Sequence, residues 1–331
     1  MHDPDFWWQP PGFAAALLAP VAAIYGAISG GRMRKAGMKI GVPVICIGNF
    51  TVGGAGKTPA ALAIGRWLIE AGRSVFFLSR GYGGDFEGPV RVDPARLGAA
   101  EVGDEPLLLA RTAPTIVARD RVAGARMARA AGATAVVMDD GFQNPSLHKE
   151  FALVVVDGQR GIGNGRVFPA GPLRAPLAAQ IERADALLVV GKISDAARPV
   201  LETASAHRIP LFHGELVPDD VVVAGLRGRR VLAFAGIASP EKFFATVAAA
   251  GIAAPVTRGF PDHHRYSAAE IEDLRARAAA VGLVLLTTEK DLARMTADEE
   301  LAMKIDGIRA LPVWLNIEKE AELHRLIAAK L

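Results

Sequence analysis

Short apolar runs alternate with longer alanine-rich segments through most of the chain. The short runs are apolar at odd and even positions alike, which predicts strands buried on both faces. The alanine-rich segments between them predict helices, and the alternation is typical of a parallel sheet covered on both sides. The predicted strands are VPVICIG, SVFFLSR, TIVA, AVVMDD, FALVVVD and ADALLVVG, and the predicted helices are PAALAIGRWLIEAG, DEPLLLARTA and RVAGARMARAAG.

A second, smaller set of the same kind begins near residue 214. It contains the strands VLAFAGI and LVLLTTEKD and the helices SPEKFFATVAAAG and SAAEIEDLRARAAAVG. A chain of 331 residues is long enough for two domains. We therefore predict a core domain over residues 36–215 and a smaller C-terminal α/β domain over residues 216–331. A cleft between two such domains commonly brings two substrates together.

The first 35 residues are predicted to form a separate segment. No charged residue occurs from Phe6 to Gly31, and the basic cluster RMRK follows at residues 32–35. A secretory signal peptide would carry its basic residues before the apolar run. A spanning helix, a core helix and a helix lying in the membrane interface all stay open. We favour the interfacial helix, with Trp7 and Trp8 at headgroup level, and expect the basic cluster to keep the remaining chain cytoplasmic.

Composition and charge narrow the function classes. The single cysteine, Cys46, lies inside an apolar run, which excludes a disulfide framework and predicts a small core residue in a reducing compartment. The net charge of +3 is mildly basic. No Lys/Arg block with interleaved aromatics and no zinc-ligand spacing occurs, so nucleic acid is not indicated. An anionic membrane surface or a phosphorylated ligand fits the charge at least as well.

The segment GNFTVGGAGKTP, residues 48–59, lies between a predicted buried strand and a predicted helix. It matches the phosphate-binding pattern G-x-x-x-x-G-K-[ST], except that a threonine replaces the first glycine. The strand–loop–helix order points backbone N–H groups and the positive end of the helix dipole at one place. We predict a nucleotide site rather than a glycine-rich turn with an exposed lysine. Its residues are Thr51, Val52, Gly53, Gly54, Ala55, Gly56, Lys57 and Thr58.

The predicted strand AVVMDD ends in Asp139 and Asp140, followed by a glycine. P-loop proteins hold Mg²⁺ with the loop hydroxyl, here Thr58, and an acid at the end of another core strand. A strand that simply ends in an acidic turn is the alternative. The N-K-x-D motif by which GTPases read guanine is absent, and VVGKISD has Ser194 at the acidic position. We therefore predict ATP and Mg²⁺ as the cofactors, with Thr58, Asp139 and Asp140 as the metal ligands.

Two further segments carry candidate catalytic groups. Asp104 lies at a loop-to-helix junction in EVGDEPLLLA, where an N-cap role competes with that of a carboxylate accepting a hydroxyl proton. RGFPDHHRY holds Asp262, His263 and His264. A metal site, a histidine that assists a catalytic carboxylate, and a polar loop before a helix capped by Ser267 are the three alternatives.

Three arginines follow strands or lie in Gly/Pro loops. Arg80, Arg121 and Arg174 occur in SRGYGG, ARDR and PAGPLR. Arginines in such places can hold phosphate groups with two hydrogen bonds, and each is as well explained as a surface residue.

Together these motifs resemble the tetraacyldisaccharide 4′-kinases, the lipid A 4′-kinases of Gram-negative bacteria. The resemblance runs from about Ala19 to Asp291, and Thr51 follows the rule of that family. It rests on the order of GNFTVGGAGKTP, SRGYGG, VGDEP, DDGFQ, VDGQRGIGNGRVFPAGPLR, FAGIASPEKFF, DHH and TTEKD. It implies a P-loop NTPase-like core, a second α/β/α domain that closes over nucleotide, and an N-terminal helix dipping into the inner membrane from its cytoplasmic face.

The resemblance also implies a reaction and residue roles. The γ-phosphate of ATP would pass to the 4′-hydroxyl of an acylated glucosamine disaccharide, a Mg²⁺-dependent step. Lys57 and Thr58 match the loop residues and Asp139 the metal-binding acid, while Asp104 matches the catalytic carboxylate and His263 its partner. Arg80, Arg121 and Arg174 would contact the acceptor's anionic headgroup or the phosphates.

One departure and two rival functions stay open. Many family members carry a glutamate after PAGPLR, where this chain has Ala175 and Pro176, so that role is not transferred. A P-loop ATPase switch predicts hydrolysis without acceptor and no need for Asp104. A membrane-binding module with a relic loop predicts no ATP affinity. No obligate protein partner is inferred.

Overall fold

The chain folds around two β-sheets in the computed structural model, which describes residues 3–296 and 298–331. The strands of the larger sheet are β1 (Val44–Asn49), β2 (Val75–Ser79), β3 (Val90–Arg91), β4 (Thr115–Val117), β5 (Ala135–Asp139), β6 (Phe151–Asp157), β7 (Ala186–Val190), β8 (Leu211–Pro218) and β13 (Val313–Ile317). Those of the smaller sheet are β9 (Arg230–Ala235), β10 (Ala253–Gly259), β11 (Val284–Thr288) and β12 (Arg309–Leu311).

Helices occupy most of the segments between the strands. A short 3₁₀ helix, Asp5–Trp8, precedes the long helix α1 (Phe13–Met33), and a second one spans Asp195–Ala197. The other helices are α2 (Lys57–Glu70), α3 (Ala99–Val102), α4 (Asp104–Ala110), α5 (Arg121–Ala130), α6 (Leu177–Ile181), α7 (Arg198–Ala206), α8 (Asp220–Leu226), α9 (Pro240–Ala249), α10 (Ala268–Ala280), α11 (Glu289–Thr296), α12 (Glu299–Ala302) and α13 (Glu320–Ala328).

Both sheets are mainly parallel. The larger runs in the order β13-β8-β7-β6-β1-β5-β2-β4-β3, with the edge strands β13 and β3 antiparallel to their neighbours. The smaller runs in the order β10-β9-β11-β12 and is parallel throughout its described pairs. This confirms the predicted fold class, a P-loop NTPase-like parallel sheet accompanied by a second, smaller α/β layer structure.

The apolar strands supply a separate core on each face of the larger sheet. In β1, Val44 and Cys46 join one cluster, while Ile45 and Ile47 join the other, because successive side chains point to opposite faces. Cys46 is fully buried, as predicted, and burial raises the pKa of its thiol to about 11. Strand β1 is therefore buried on both faces. It lies between β5 and β6 in the middle of the sheet, so its carboxyl end is central as well.

The C-terminal segment returns to the larger sheet. Strand β8 spans the predicted boundary at residues 215/216 and pairs with β13, with Leu315 opposite Leu216. Helix α13 then contributes Leu323 and Ile327 to the core that also holds Ile45. We therefore call the nine-stranded sheet with its helices the larger unit and residues 230–311 the smaller unit. The division of the chain into independent domains stays a prediction.

Helix α2 approaches the larger sheet closely because residue 65 is a glycine. A Cβ at Gly65 would lie 2.4 Å from the ring of Phe77 in β2. Gly65→Ala is expected to lower the free energy of unfolding by about 1–3 kcal/mol, since the buried ring must shift. Denaturant unfolding measures this. Gly31→Ala, a helical position with no neighbour within 4 Å of its Cβ, is the control and should not destabilise the protein.

Candidate active site

The loop between β1 and α2 has the geometry of a phosphate cradle. Gly53 and Gly56 adopt φ values of 96° and 90°, a region that glycine enters without strain. Lys57 begins α2, and its ammonium donates to the carbonyl of Gly53 at 3.4 Å. Burial lowers the pKa of Lys57, although the nearby Asp140 carboxylate opposes this shift. The eight predicted nucleotide-binding residues thus run from the end of β1 through the glycine turn into the first residues of α2, at the centre of the sheet.

The threonine in place of the first loop glycine has a structural explanation. Thr51 forms an antiparallel bridge with Leu173, and the N–H of Val52 donates to Pro172 at 2.8 Å. Arg174 Nε donates to the carbonyl of Thr51 at 2.8 Å. The first position is therefore extended and paired rather than left-handed, so glycine is not required there. The PAGPLR segment supports the loop from the side.

Asp139 and Thr58 meet at the carboxyl end of β5. Thr58 Oγ1 donates to Asp139 Oδ2 at 3.3 Å, and both residues are buried. Among the described residues, Asp139 Oδ1 has no hydrogen-bond partner although it is inaccessible to solvent. Burial, followed by the charges of Glu105 and Asp140, raises the pKa of Asp139 to about 7. An orphaned buried carboxylate oxygen beside a hydroxyl suits a hard cation that takes its other ligands from phosphate.

Asp140 has other partners. Its two oxygens accept from Arg174 Nη1 and Nη2 at 2.6 and 3.2 Å, and Lys57 Nζ lies 3.8 Å away. Burial would raise the pKa of this carboxyl, but Arg174 and Lys57 hold it well below its usual range. Asp140, Arg174 and Lys57 therefore form one charged chain around the loop.

Asp104 belongs to the larger unit and His263 to the smaller one, and they meet at the interface between the two units. Asp104 begins α4 and is 2% exposed, and its Oδ1 lies 3.3 Å from His263 Nδ1. Burial would raise the pKa of Asp104, but the adjacent His263 imidazole and the charges of Lys290 and Arg294 hold it well below its usual range. The adjacent carboxylate of Asp104 correspondingly raises the pKa of His263.

The neighbouring histidine has a structural role. His264 Nε2 lies 3.1 Å from the carboxylate of Glu270, and its ring stacks on Phe260 with centroids 4.7 Å apart. Within residues 3–296 and 298–331, no group of three or more His, Cys, Asp or Glu side chains is placed to hold a metal. The metal-site alternative for Asp262, His263 and His264 therefore has no support.

The remaining predicted arginines lie beside this site. Arg121 is buried, and its Nη1 donates to the carbonyl of Ala118 at 2.5 Å. Its Nε is buried without a partner among the described residues. Burial and the charge of the exposed Arg80 lower the pKa of Arg121 to about 10. Two close guanidinium groups, one with an unused donor, make a local positive field suited to an anion.

Among the residues that the structure describes, amide side chains rather than a carboxylate contact the position of the family glutamate. Ala175 is fully buried, and its carbonyl accepts from Gln180 Nε2 at 2.7 Å. Gln180 Oε1 in turn accepts from Gln143, which also donates to the carbonyl of Asn49 at 2.7 Å. A neutral amide chain thus ties this position to the end of β1.

The sequence reasoning missed the ion pairs that join the two units. They link the charged face of α11 to α4 and the start of α9 to the end of β6. The pairs are Arg294–Asp104, Lys290–Glu105, Arg111–Glu289 and Lys242–Asp157. The available signal was the spacing of Asp291 and Arg294, three residues apart after a strand and hence on one face of a helix.

Comparisons with known proteins identify the family to which this chain is similar. A family model described as tetraacyldisaccharide-1-P 4′-kinase matches residues 14–331. The tetraacyldisaccharide 4′-kinase of Rhodopseudomonas palustris strain BisA53 is 54% identical over 331 residues, 100% of this chain and 96% of that protein. That of Methylobacterium sp. strain 4-46 is 56% identical over 304 residues, 92% of this chain and 91% of that protein.

A solved structure is also similar. It is a crystal structure of the "apo" form of LpxK from Aquifex aeolicus in complex with ATP. The TM-score is 0.74 at 26% sequence identity, and the match covers 96% of this chain and 99% of that one.

Proposed function

This chain belongs to the tetraacyldisaccharide-1-phosphate 4′-kinase family, and on that premise we propose which of its residues carry out the reaction. The protein is an ATP-dependent phosphotransferase of lipid A synthesis that phosphorylates the 4′-hydroxyl of a tetraacyl disaccharide 1-phosphate. The observation that carries the residue assignment is the meeting of Asp104 and His263, which belong to different units and lie 3.3 Å apart at their interface.

The donor end of the reaction belongs to the loop at residues 51–58. Its backbone and the start of α2 would surround the β- and γ-phosphates, with Lys57 reaching the transferred group. Thr58 and Asp139 would hold Mg²⁺, which when bound neutralises charge on the phosphates. We predicted Asp140 as a further metal ligand. Because Asp140 is paired with Arg174 and lies near Lys57, we propose instead that it holds these two cations beside the phosphates.

The acceptor end belongs to Asp104 and His263. Asp104 would accept the proton of the 4′-hydroxyl as the oxygen attacks the γ-phosphorus, and His263 would orient the carboxylate. Arg80 and Arg121 would bind anionic groups of the acceptor or the donor. The assignment of Asp104 as the base is supported by a cavity of about 160 Å³ into which an acceptor hydroxyl can enter. Asp104, His263 and Tyr82 form part of its lining.

We propose that α1 places the enzyme on the cytoplasmic face of the inner membrane. In the described part of the chain, α1 alone is long and apolar enough to cross a membrane, although a core helix can pass the same test. Its small residues Gly26 and Gly30 face Pro176 of the larger unit. The opposite face exposes large apolar side chains at helical spacing, namely Phe13, Leu17, Val21, Ile24 and Ile28. Such a helix suits the interface better than a span.

The double substitution Leu17→Asp/Ile24→Asp is expected to lower binding to anionic lipid vesicles and activity on vesicle-borne acceptor by at least about tenfold. The reason is that both side chains are exposed and each would lose apolar burial in lipid. Vesicle co-sedimentation and the kinase assay measure the two effects. Val221→Asp, an equally exposed apolar position on α8, is the control. Unchanged sedimentation of the double variant would rule out this membrane role.

The function is tested by transfer of γ-labelled phosphate from ATP to detergent-dispersed tetraacyl disaccharide 1-phosphate. Labelling of the lipid at the 4′ position is expected. The rival ATPase switch would instead release labelled inorganic phosphate at the same rate with and without acceptor. A chain without ATP affinity would do neither.

A further inference from the structure

The carboxylate of Asp104 is held by a guanidinium from the other unit. Arg294 Nη2 and Nε both donate to Asp104 Oδ2, at 2.7 and 3.2 Å. Both side chains are almost fully buried, at 7% and 2% exposure. Oδ1 has no hydrogen bond of good geometry and lies 3.3 Å from His263 Nδ1. The two oxygens of one carboxylate are thus in different states: Oδ2 is bound twice, whereas Oδ1 is buried without a hydrogen bond.

Arg294 is itself fixed within the smaller unit. Its Nη1 donates to Asp291 Oδ1 at 2.7 Å and to the carbonyl of Gly236 at 2.8 Å. Asp291 is fully buried and accepts from the N–H of Gly236, from Tyr266 and from Thr288. Each nitrogen of the guanidinium and each carboxylate oxygen of Asp291 has a partner, so the guanidinium has little freedom to rotate. A planar fork held in this way fixes the direction of the group it binds.

We infer that Arg294 is the positioning residue of the base: it binds Oδ2 of Asp104 across the interface and leaves Oδ1 for the acceptor hydroxyl. Since the contact crosses the interface, presentation of the base depends on both units. This inference rests on the proposed role of Asp104. Arg294 contacts neither nucleotide phosphate nor acceptor in this role and acts through Asp104 alone.

The charges around Asp104 favour this role over general adhesion between the units. The groups that face it or its direct partners are His263 and Asp262 from the loop before α10, Lys290, Asp291 and Arg294 from α11, and Glu105 from its own helix. Lys290 is paired with Glu105 at 2.7 Å, which leaves Arg294 as the cation bonded to Asp104 itself. Arg111, directly after α4, and Glu289 of α11 form another pair at 3.9 Å, which does not include Asp104.

The test compares Arg294→Met, Arg294→Lys, Asp104→Asn and the control Arg111→Gln in the full-length protein. Arg294→Met should lower kcat about 100-fold, because a misplaced base loses its alignment, and should leave KM for ATP within about threefold. Its acid limb in the kcat profile should move to higher pH by about one unit or more, since the carboxylate loses its bonded cation. Arg294→Lys should recover about tenfold of the loss, and Arg111→Gln should keep the parent's profile.

Several results would overturn the inference. One is an Arg294→Met protein with the parent's kcat and acid limb while Asp104→Asn is inactive, which leaves the role of Asp104 intact. Another is an equal loss in Arg294→Met and Arg111→Gln with an unmoved acid limb, which means simple adhesion. An active Asp104→Asn protein would overturn both this inference and the proposed base. If Arg294→Met does not fold, Arg294→Lys serves as the test instead. An Arg294→Lys protein with the parent's kcat and pH profile would show that the two-nitrogen guanidinium contact is not required, and the inference would be rejected.

Discussion

Asp104→Asn is expected to lower kcat for lipid phosphorylation by about 10²–10⁴ while ATP still binds. The amide has the shape of the carboxylate but cannot take the hydroxyl proton. The site also loses the charge that faces His263 and Arg294. Single-turnover transfer of γ-labelled phosphate to the lipid measures the chemical step, and binding of a fluorescent nucleotide measures ATP affinity.

The control for this substitution is Glu105→Gln. Glu105 follows Asp104 in α4 and forms an interface ion pair with Lys290 at 2.7 Å, yet it is not assigned to the proton transfer. It should retain kcat within about tenfold. Thermal unfolding of both variants is needed, because Asp104→Asn leaves the buried Arg294 with one partner fewer, a change that can cost about 3–5 kcal/mol. Activity of Asp104→Asn within tenfold of the parent would refute its assignment as the base.

The donor side of the site was predictable because its chemistry is local in sequence. A buried strand, a glycine-rich turn and a helix are consecutive, so the position of Lys57 and Thr58 follows from the pattern of residues 42–72 alone. Asp139 was predictable for a related reason, since the carboxyl ends of neighbouring parallel strands meet at one edge of a sheet. Only the choice of β5 as the neighbour of β1 needed the structure.

The acceptor side was not predictable from local pattern. Arg294 is 190 residues from Asp104, and nothing in the spacing of TTEKD says which acid its guanidinium meets. The two adjacent histidines look alike in sequence. His263 has a φ of 55° and faces Asp104, whereas His264 packs on Phe260. The resemblance to a family selected His263; residue spacing alone left three alternatives open.

The C-terminal strand shows a third limit. β13 is short and half exposed, and its partner β8 lies about a hundred residues earlier, so no local signal marks it as part of the larger sheet. The predicted boundary at residues 215/216 rests on the point at which one set of apolar runs ends and the next begins. Such a pattern contains no information on the later return of the chain to the larger sheet through β13.

Lys57→Met is expected to lower kcat/KM for ATP by about 10²–10⁴, because the ammonium stabilises charge that develops on the transferred phosphate. The fold should tolerate the change. Burial already disfavours the charged ammonium, as the lowered pKa of Lys57 indicates. Asp140 would still keep both hydrogen bonds from Arg174. The free energy of unfolding should therefore change by less than about 1 kcal/mol.

The comparison variant is Lys149→Met, which should lose stability and keep turnover, the reverse of the result expected for Lys57→Met. Lys149 donates to the carbonyls of Phe142 and Asn144 at 3.0 and 2.7 Å, and burial lowers its pKa as well. Its removal leaves those carbonyls without this donor and should cost about 1–3 kcal/mol of stability with little effect on turnover. Steady-state kinetics and urea unfolding on both proteins separate the two effects. If Lys57→Met instead loses stability and keeps turnover, Lys57 is a structural lysine, and phosphate transfer must use another cation.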